Sequence, residues 1–250
     1  MRIKIYIPLF ITLIAFSASG QRLSTHNSIG WYNVSANIHV YKKASWWVEY
    51  NWRRDNIITS WQQSLARTGI QFNFKNTVSA MVGYANIMSY PIGDYPAGPF
   101  HTPEHRIFEQ LMWNSNIGLL TMTYRLRLEQ RYTGKVNQTA KEYSVSDWTY
   151  RNRFRYFLRA ALPINKKKIE DKTFYVAAFD EMFIGFGKNV NQNLFDQNRF
   201  GILAGYQFSK YLRAEGGYIN QIGQQSNLVA GKEVIQYNSG ITLSVQFTKP

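Results

Sequence analysis

Two arginine-rich stretches contain the residues of this sequence best suited to bind charged groups. In "TMTYRLRLEQRY", residues 121–132, arginines alternate with bulky apolar or aromatic residues, and "WTYRNRFRYFLRAALP", residues 148–163, repeats the pattern. A guanidinium group is a planar fork of N–H donors that matches carboxylate and phosphate groups. Arginines at this spacing could therefore pair with carboxylates or attract anions.

The spacing of these arginines predicts β-strands. Side chains two residues apart share one face of a strand, whereas on a helix they would lie roughly 200° apart. Read as strands, the two stretches place most of their charges on one face and mainly apolar residues on the other. The charged faces carry Arg125, Arg127, Glu129 and Arg131 in the first strand, and Arg151, Arg153, Arg155 and Arg159 in the second.

The same period-two pattern recurs along the chain from residue 28 onward and predicts an all-β fold. Eleven strands are recognisable, and short turns alternate with longer polar loops between them, which is typical of an up-and-down antiparallel barrel. A closed bacterial barrel is expected to have an even number of strands. We therefore expect about twelve, with ten as the fallback, and we place the additional strand within residues 21–30.

The first twenty residues, "MRIKIYIPLFITLIAFSASG", predict a secretory signal peptide. Two basic residues precede a short apolar run that ends in small residues, the pattern of a cleavable signal. The sequence contains no cysteine, so it holds no disulfide and no lipid-modified cysteine. We expect residues 1–20 to be removed and residues 21–250 to form a single barrel domain in the cell outer membrane.

Three features predict that the apolar faces contact lipid. Aromatic residues lie near the predicted strand ends, as in the interfacial girdles of membrane barrels. A barrel of this size would be too wide to fill with a layer of small apolar side chains. The last strand carries Phe247 close to the C-terminus, resembling the signal that the barrel-assembly machinery recognises. The predicted girdle residues are Trp31, Tyr41, Trp46, Trp52, Trp113, Tyr132 and Trp148.

This orientation predicts a lumen lined by charged side chains. Buried arginines without partners would repel one another, so carboxylates or water must lie beside them. Candidate acidic partners are Glu49, Glu109, Glu129, Glu181 and Glu215. The predicted lining comprises Arg125, Arg127, Glu129, Arg131, Arg151, Arg153, Arg155, Arg159, Glu181, Arg199, Arg213 and Glu215. Two interpretations stay open: the charges fill the lumen structurally, or they form an electropositive passage for anionic solutes.

Other chemistries have weaker support in the sequence. His101 and His105 flank Glu104 after a Pro/Gly-rich loop, and with Ser89 or Ser115 they could form a hydrolase triad acting on lipid or lipopolysaccharide, although no catalytic motif fixes that geometry. A metal site from the same histidines with Glu104 and Asp94 is also conceivable, but we predict no metal or cofactor. The net charge of +14 could suggest nucleic-acid binding. That interpretation fails if the aromatic residues face lipid, and we expect no nucleic-acid partner.

Four segments resemble the domain-of-unknown-function family 2490 (DUF2490). They are "RLRLEQR" (125–131), "RNRFRYFLR" (151–159), "NLFDQNRFGILAGYQFS" (193–209) and "LRAEGGYINQ" (212–221). The resemblance implies a β-barrel in the outer membrane of a Gram-negative envelope. For a barrel whose apolar face is turned outward, we expect lipid and lipopolysaccharide as the partners of that face. It implies no activity. The expected role is that of a structural or anion-biased small-solute barrel, with a lipid-modifying enzyme as the alternative.

Overall fold

Eleven β-strands, each hydrogen-bonded to two neighbours, close into a barrel in the computed structural model, which describes residues 22–75, 77–139, 142–190 and 194–249. The strands are β1 (Leu23–Tyr41), β2 (Ala44–Asp55), β3 (Ser60–Lys75), β4 (Val78–Ser89), β5 (Thr102–Ile117), β6 (Leu120–Gln138), β7 (Tyr143–Pro163), β8 (Thr173–Phe186), β9 (Phe195–Ser209), β10 (Leu212–Gln224) and β11 (Val234–Lys249). The predicted closed all-β barrel is confirmed. The predicted signal peptide lies outside the described residues.

Consecutive strands pair antiparallel, but β1 and β11 close the barrel in parallel. The twelfth strand expected within residues 21–30 is the first half of β1, which runs unbroken from Leu23. The expectation of an even strand number was therefore wrong for the described residues. A parallel closing pair allows an odd number, because the first and last strands then run in the same direction.

The connections separate the two ends of the barrel. One end of the barrel, which we call the short-turn end, carries two-residue turns and one longer connection. The turns are 42–43, 118–119 and 210–211, and the longer connection is 164–172. Loops 90–101 and 225–233 lie at the other, the long-loop end, where Asn227 Nδ2 donates to Ala97 O at 3.2 Å. Because loop 90–101 also reaches β1 through Asp94 N and Thr25 Oγ1 at 3.3 Å, it leans inward over that mouth.

Alternation sorts the strands into an apolar outer face and a charged inner face. In β8, Val176 and Met182 lie on the outer face and are 43% and 44% exposed, whereas Glu181 lies on the inner face and is 4% exposed. In β6, Leu128 is exposed and Arg127 and Glu129 are buried. The polar lumen predicted from the sequence is confirmed. None of the described residues forms a helix long and apolar enough to cross a membrane.

The interior also contains aromatic residues. Phe108, Tyr175 and Phe183 are at most 1% exposed and point into the lumen. Trp31 was predicted in the outer girdle, but it is 5% exposed and lies inside. The prediction for Trp31 was wrong because it was based on residue type, which favoured the membrane surface. In β1, Trp31 lies on the same inward face as Ser35.

Candidate functional site

Glu129 is the centre of the ion-pair network in the lumen. Its carboxylate accepts hydrogen bonds from Arg153 Nε at 2.8 Å, Arg153 Nη2 at 2.5 Å and Arg155 Nη1 at 2.6 Å. Arg106 and Arg127 approach it at 3.8 and 3.9 Å. Glu129 is 1% exposed, so water screens these interactions little. One buried carboxylate therefore serves four guanidinium groups.

Glu181 is the second acidic centre, on β8, which β7 separates from the strand of Glu129. It accepts from Arg155 at 3.0 and 2.6 Å and from Arg125 Nη2 at 2.6 Å. Arg199 lies farther away, at 4.0 Å. Because Arg155 binds both Glu129 and Glu181, the two acidic centres form one continuous network.

The network continues toward the long-loop end through Glu104 and Asp196. Glu104 binds Arg106 at 2.5 and 3.0 Å and Arg131 at 2.6 and 3.1 Å, both in the bidentate geometry that suits guanidinium and carboxylate. Asp196 accepts from Arg153 Nη1 at 2.6 Å. Sequence reasoning assigned no ion-pair role to Arg106, Glu104 or Asp196. The facing of the segment that holds the first two was obscured by an inward Phe108 and an outward Glu109.

Separate pairs lie nearer the short-turn end. Glu215 accepts hydrogen bonds from Arg159 and from the Tyr175 hydroxyl, the latter at 2.7 Å, and Arg213 approaches at 4.0 Å. Glu49 binds Arg67 and Asn51. Glu109, proposed as a further partner, instead faces outward and accepts from Gln130 Nε2 at 3.1 Å. That part of the prediction was wrong.

Of the twelve residues predicted to line the lumen, the network around Glu129 and Glu181 thus contains eight, and the separate cluster around Glu215 contains three, namely Arg159, Arg213 and Glu215 itself. Arg151 is the twelfth, and it lies at the long-loop end. Its Nε donates to Asn189 O at 2.9 Å and its Nη1 to Ser226 Oγ at 3.2 Å, so it ties two loops to the barrel wall.

Aromatic rings separate the guanidinium groups. The Phe183 ring lies 5.0, 4.4 and 4.5 Å from the guanidinium carbons of Arg153, Arg155 and Arg199. Phe108 stands at 4.5 Å from Arg127 in the same way. A cation over an aromatic face is attracted by the negative charge density of the ring. These rings thus hold like charges apart while partly offsetting the cost of their burial.

Positive charge exceeds negative charge inside the described barrel. Twelve arginines belong to the lumen network or its cavity, against six carboxylates. The arginines are Arg53, Arg67, Arg106, Arg125, Arg127, Arg131, Arg151, Arg153, Arg155, Arg159, Arg199 and Arg213, and the carboxylates are Glu49, Glu104, Glu129, Glu181, Asp196 and Glu215. Like charges enclosed by a low-dielectric wall focus a positive potential along the lumen.

A cavity of about 620 Å³ at the long-loop end, which we call the vestibule, is bounded by this charge. Nine arginine and lysine residues and two carboxylates, Glu104 and Asp196, line it, and loops 90–101 and 225–233 form its upper wall. A second cavity of about 480 Å³ at the short-turn end is lined by Asn37, His39 and neighbouring residues. The two cavities share no lining residue, and the side chains around Glu129 are buried.

The histidines proposed for catalysis lie apart from the lumen network. The His101 ring stacks on Tyr143 at 4.3 Å, and His105 contacts Tyr84 and Trp148 on the outer face. Glu104, the proposed acid, faces the lumen and binds arginines. Ser89 accepts a hydrogen bond from Gln63, at 2.9 Å. The described residues thus do not assemble the imagined triad, and they contain no group of three or more metal-ligating side chains.

Comparison with known proteins matches residues 29–230 to the family described as "Protein of unknown function (DUF2490)". No curated protein matches the chain. The solved structure described as "NanC porin structure in rhombohedral crystal form" is similar with a TM-score of 0.46 and 12% identity, covering 88% of this chain and 97% of that chain. The family match extends from β1 to the loop that precedes β11.

Proposed function

This chain belongs to the DUF2490 family of proteins of unknown function, and we propose that it is an integral outer-membrane β-barrel that attracts small anionic solutes into its lumen from the long-loop end. Transport through the filled centre is slow and favours anions. The excess of arginine over carboxylate around the vestibule is the observation that carries this proposal.

The outer surface supports the membrane location. Val82, Ile202 and Leu243 are 56%, 53% and 50% exposed, and they lie on strands distributed around the barrel. In water such a continuous apolar surface would promote aggregation, whereas in a bilayer it faces hydrocarbon. Lipid and lipopolysaccharide are therefore the natural surroundings of the outer face.

The last strand supports insertion by the barrel-assembly machinery. β11 ends at Lys249, and Phe247 near its end points outward with 45% of its surface exposed. An aromatic residue in this position is available to a partner before the strand closes the barrel.

At the same end, Lys166 and Lys168 pair with Glu170 in the connection 164–172, and their hydrogen bonds lower the pKa of its carboxyl group.

The vestibule supports the preference for anions. Its arginines include Arg151, which makes no ion pair with a described carboxylate. A positive potential in an enclosed mouth raises the local concentration of anions and repels cations. The central layer of buried side chains then limits the rate, because anions must pass between guanidinium groups that already bind Glu129 and Glu181.

Reversal potentials in planar bilayers under a KCl gradient test this function. We expect small conductance steps that favour chloride over potassium. Arg151→Glu should reduce that preference, because it replaces a positive charge at the vestibule without breaking an ion pair. Lys168→Glu makes the same change of charge on an exposed turn and should leave the preference unchanged. A preference for cations, the absence of any conductance, or an equal effect of the two substitutions would contradict the proposal.

A further inference from the structure

We propose that Arg53 and Arg199, which both contact the Trp31 ring, form a binding site for an oxyanion such as a phosphate or sulfate group in the vestibule. The inference deepens the proposed function by naming the class of anion, and it rests on that function only for how the ligand arrives. The two guanidinium groups and the surrounding amide side chains line the cavity, and the Trp31 ring packs against both guanidinium groups.

Trp31 fixes the positions of both arginines. The guanidinium carbon of Arg53 lies 3.7 Å from the centre of the Trp31 ring, and that of Arg199 lies 4.8 Å from it. The indole Nε1 donates to Gln62 Oε1 at 2.7 Å, which fixes the ring in turn. Because planar guanidinium groups packed on an aromatic ring lose little further freedom on binding, the two forks are organised before a ligand arrives.

These two arginines are paired less closely with carboxylates than most other arginines of the vestibule. Arg53 donates to Gln63 Oε1 at 2.8 Å and Arg199 to Gln197 Oε1 at 3.2 Å, both neutral amide oxygens. The described carboxylate within ion-pair distance of Arg199 is Glu181, at 4.0 Å, which already binds Arg125 and Arg155. For Arg53 the described residues provide no salt bridge.

Each of the two guanidinium groups retains an unsatisfied buried donor. The Nε atoms of Arg53 and Arg199 have no hydrogen-bond partner among the described residues, although Arg53 is only 4% exposed. An unpaired donor on a buried charged group carries the full cost of its desolvation. An anion bound by both arginines would offset part of that cost and also reduce their mutual repulsion.

The amide side chains around the pair favour an anion with several oxygens. Five amide side chains line the same cavity and can donate hydrogen bonds to anion oxygens that the arginines leave free. They are Gln62, Gln63, Gln197, Gln221 and Asn238. A phosphate or sulfate group offers enough acceptors for two forks and neighbouring amides, whereas chloride cannot accept bidentate pairs. The carboxylates of the vestibule, Glu104 and Asp196, are both ion-paired, so their repulsion of an incoming anion is offset.

Calorimetry on the detergent-solubilised protein, titrated with inorganic phosphate at constant ionic strength, tests the site directly. We expect saturable binding of phosphate and sulfate, with chloride as the competing background anion. Arg53→Gln and Arg199→Gln should each weaken phosphate binding about tenfold or more, since each substitution removes charged hydrogen-bond donors to the anion. Retention of the folded, heat-modifiable form on gels would show that each variant still closes its barrel.

Arg213→Gln is the matched control, because it removes the same charge from the lumen near the short-turn end. Arg213 already has Gln246 and Glu215 beside it, so its loss should leave phosphate binding within about twofold of the original, the spread expected for a distant independent site. The absence of saturable binding, or equal losses in all three variants, would overturn the inference. If the protein binds phosphate in a way that depends on Arg53 but conducts no ions, the binding site is supported and only the proposed transport is refuted.

Discussion

Glu129→Gln is expected to lower the free energy of unfolding by about 3–5 kcal/mol, the cost of breaking a buried ion pair by removing one partner. Arg153 and Arg155 hydrogen-bond to this carboxylate, and Arg106 and Arg127 stand within 4 Å of it. Glutamine preserves the volume of the side chain and removes its charge. The neighbouring arginines then repel one another without a counterion while they are shielded from water.

Urea unfolding in lipid vesicles, followed by tryptophan fluorescence, measures this loss. Glu233→Gln provides the control, because Glu233 pairs with Arg22 at 3.0 Å where both side chains are partly exposed. Exposed pairs contribute about 0–1 kcal/mol, so this variant should unfold almost like the original protein. If the two variants lose equal stability, the network around Glu129 does not hold the lumen together as described.

Ile202→Arg is expected to destabilise the inserted barrel by about 2–4 kcal/mol, the cost of a lipid-facing arginine near the middle of a bilayer. Ile202 lies midway along β9, is 53% exposed and points away from the lumen. In a water-soluble barrel the same substitution at an exposed position would change stability by less than about 0.5 kcal/mol. The variant thus separates the two orientations of the apolar face.

Leu228→Arg is the matched control for Ile202→Arg. Leu228 is exposed to a similar extent, 60%, but it lies in loop 225–233 at the long-loop end. We expect no measurable loss of folding yield in vesicles for this variant, while Ile202→Arg should insert poorly. Equal behaviour of both variants in vesicles would refute the membrane orientation.

The alternation of residue types determined much of this protein without any tertiary information. The period of two is a local property of an extended backbone, so it identified the strands, the charged inner face and the position of arginines such as Arg127 and Arg153. The short turns and long loops likewise gave the up-and-down order. The family resemblance drawn from four short segments agrees with the match over residues 29–230.

The tertiary structure alone decided how the chain closes and which charges meet. Hydrogen bonding between the first and last strands fixed their parallel pairing and the count of eleven, which local pattern cannot show. Arg125 reaches Glu181 and Arg159 reaches Glu215 across 56 residues of sequence in each case, since the tilt and register of strands set those distances. Trp31 and Phe183 lie inside the barrel, where their rings contact the guanidinium groups of several arginines. Residue type alone does not show whether an aromatic side chain faces lipid or the lumen.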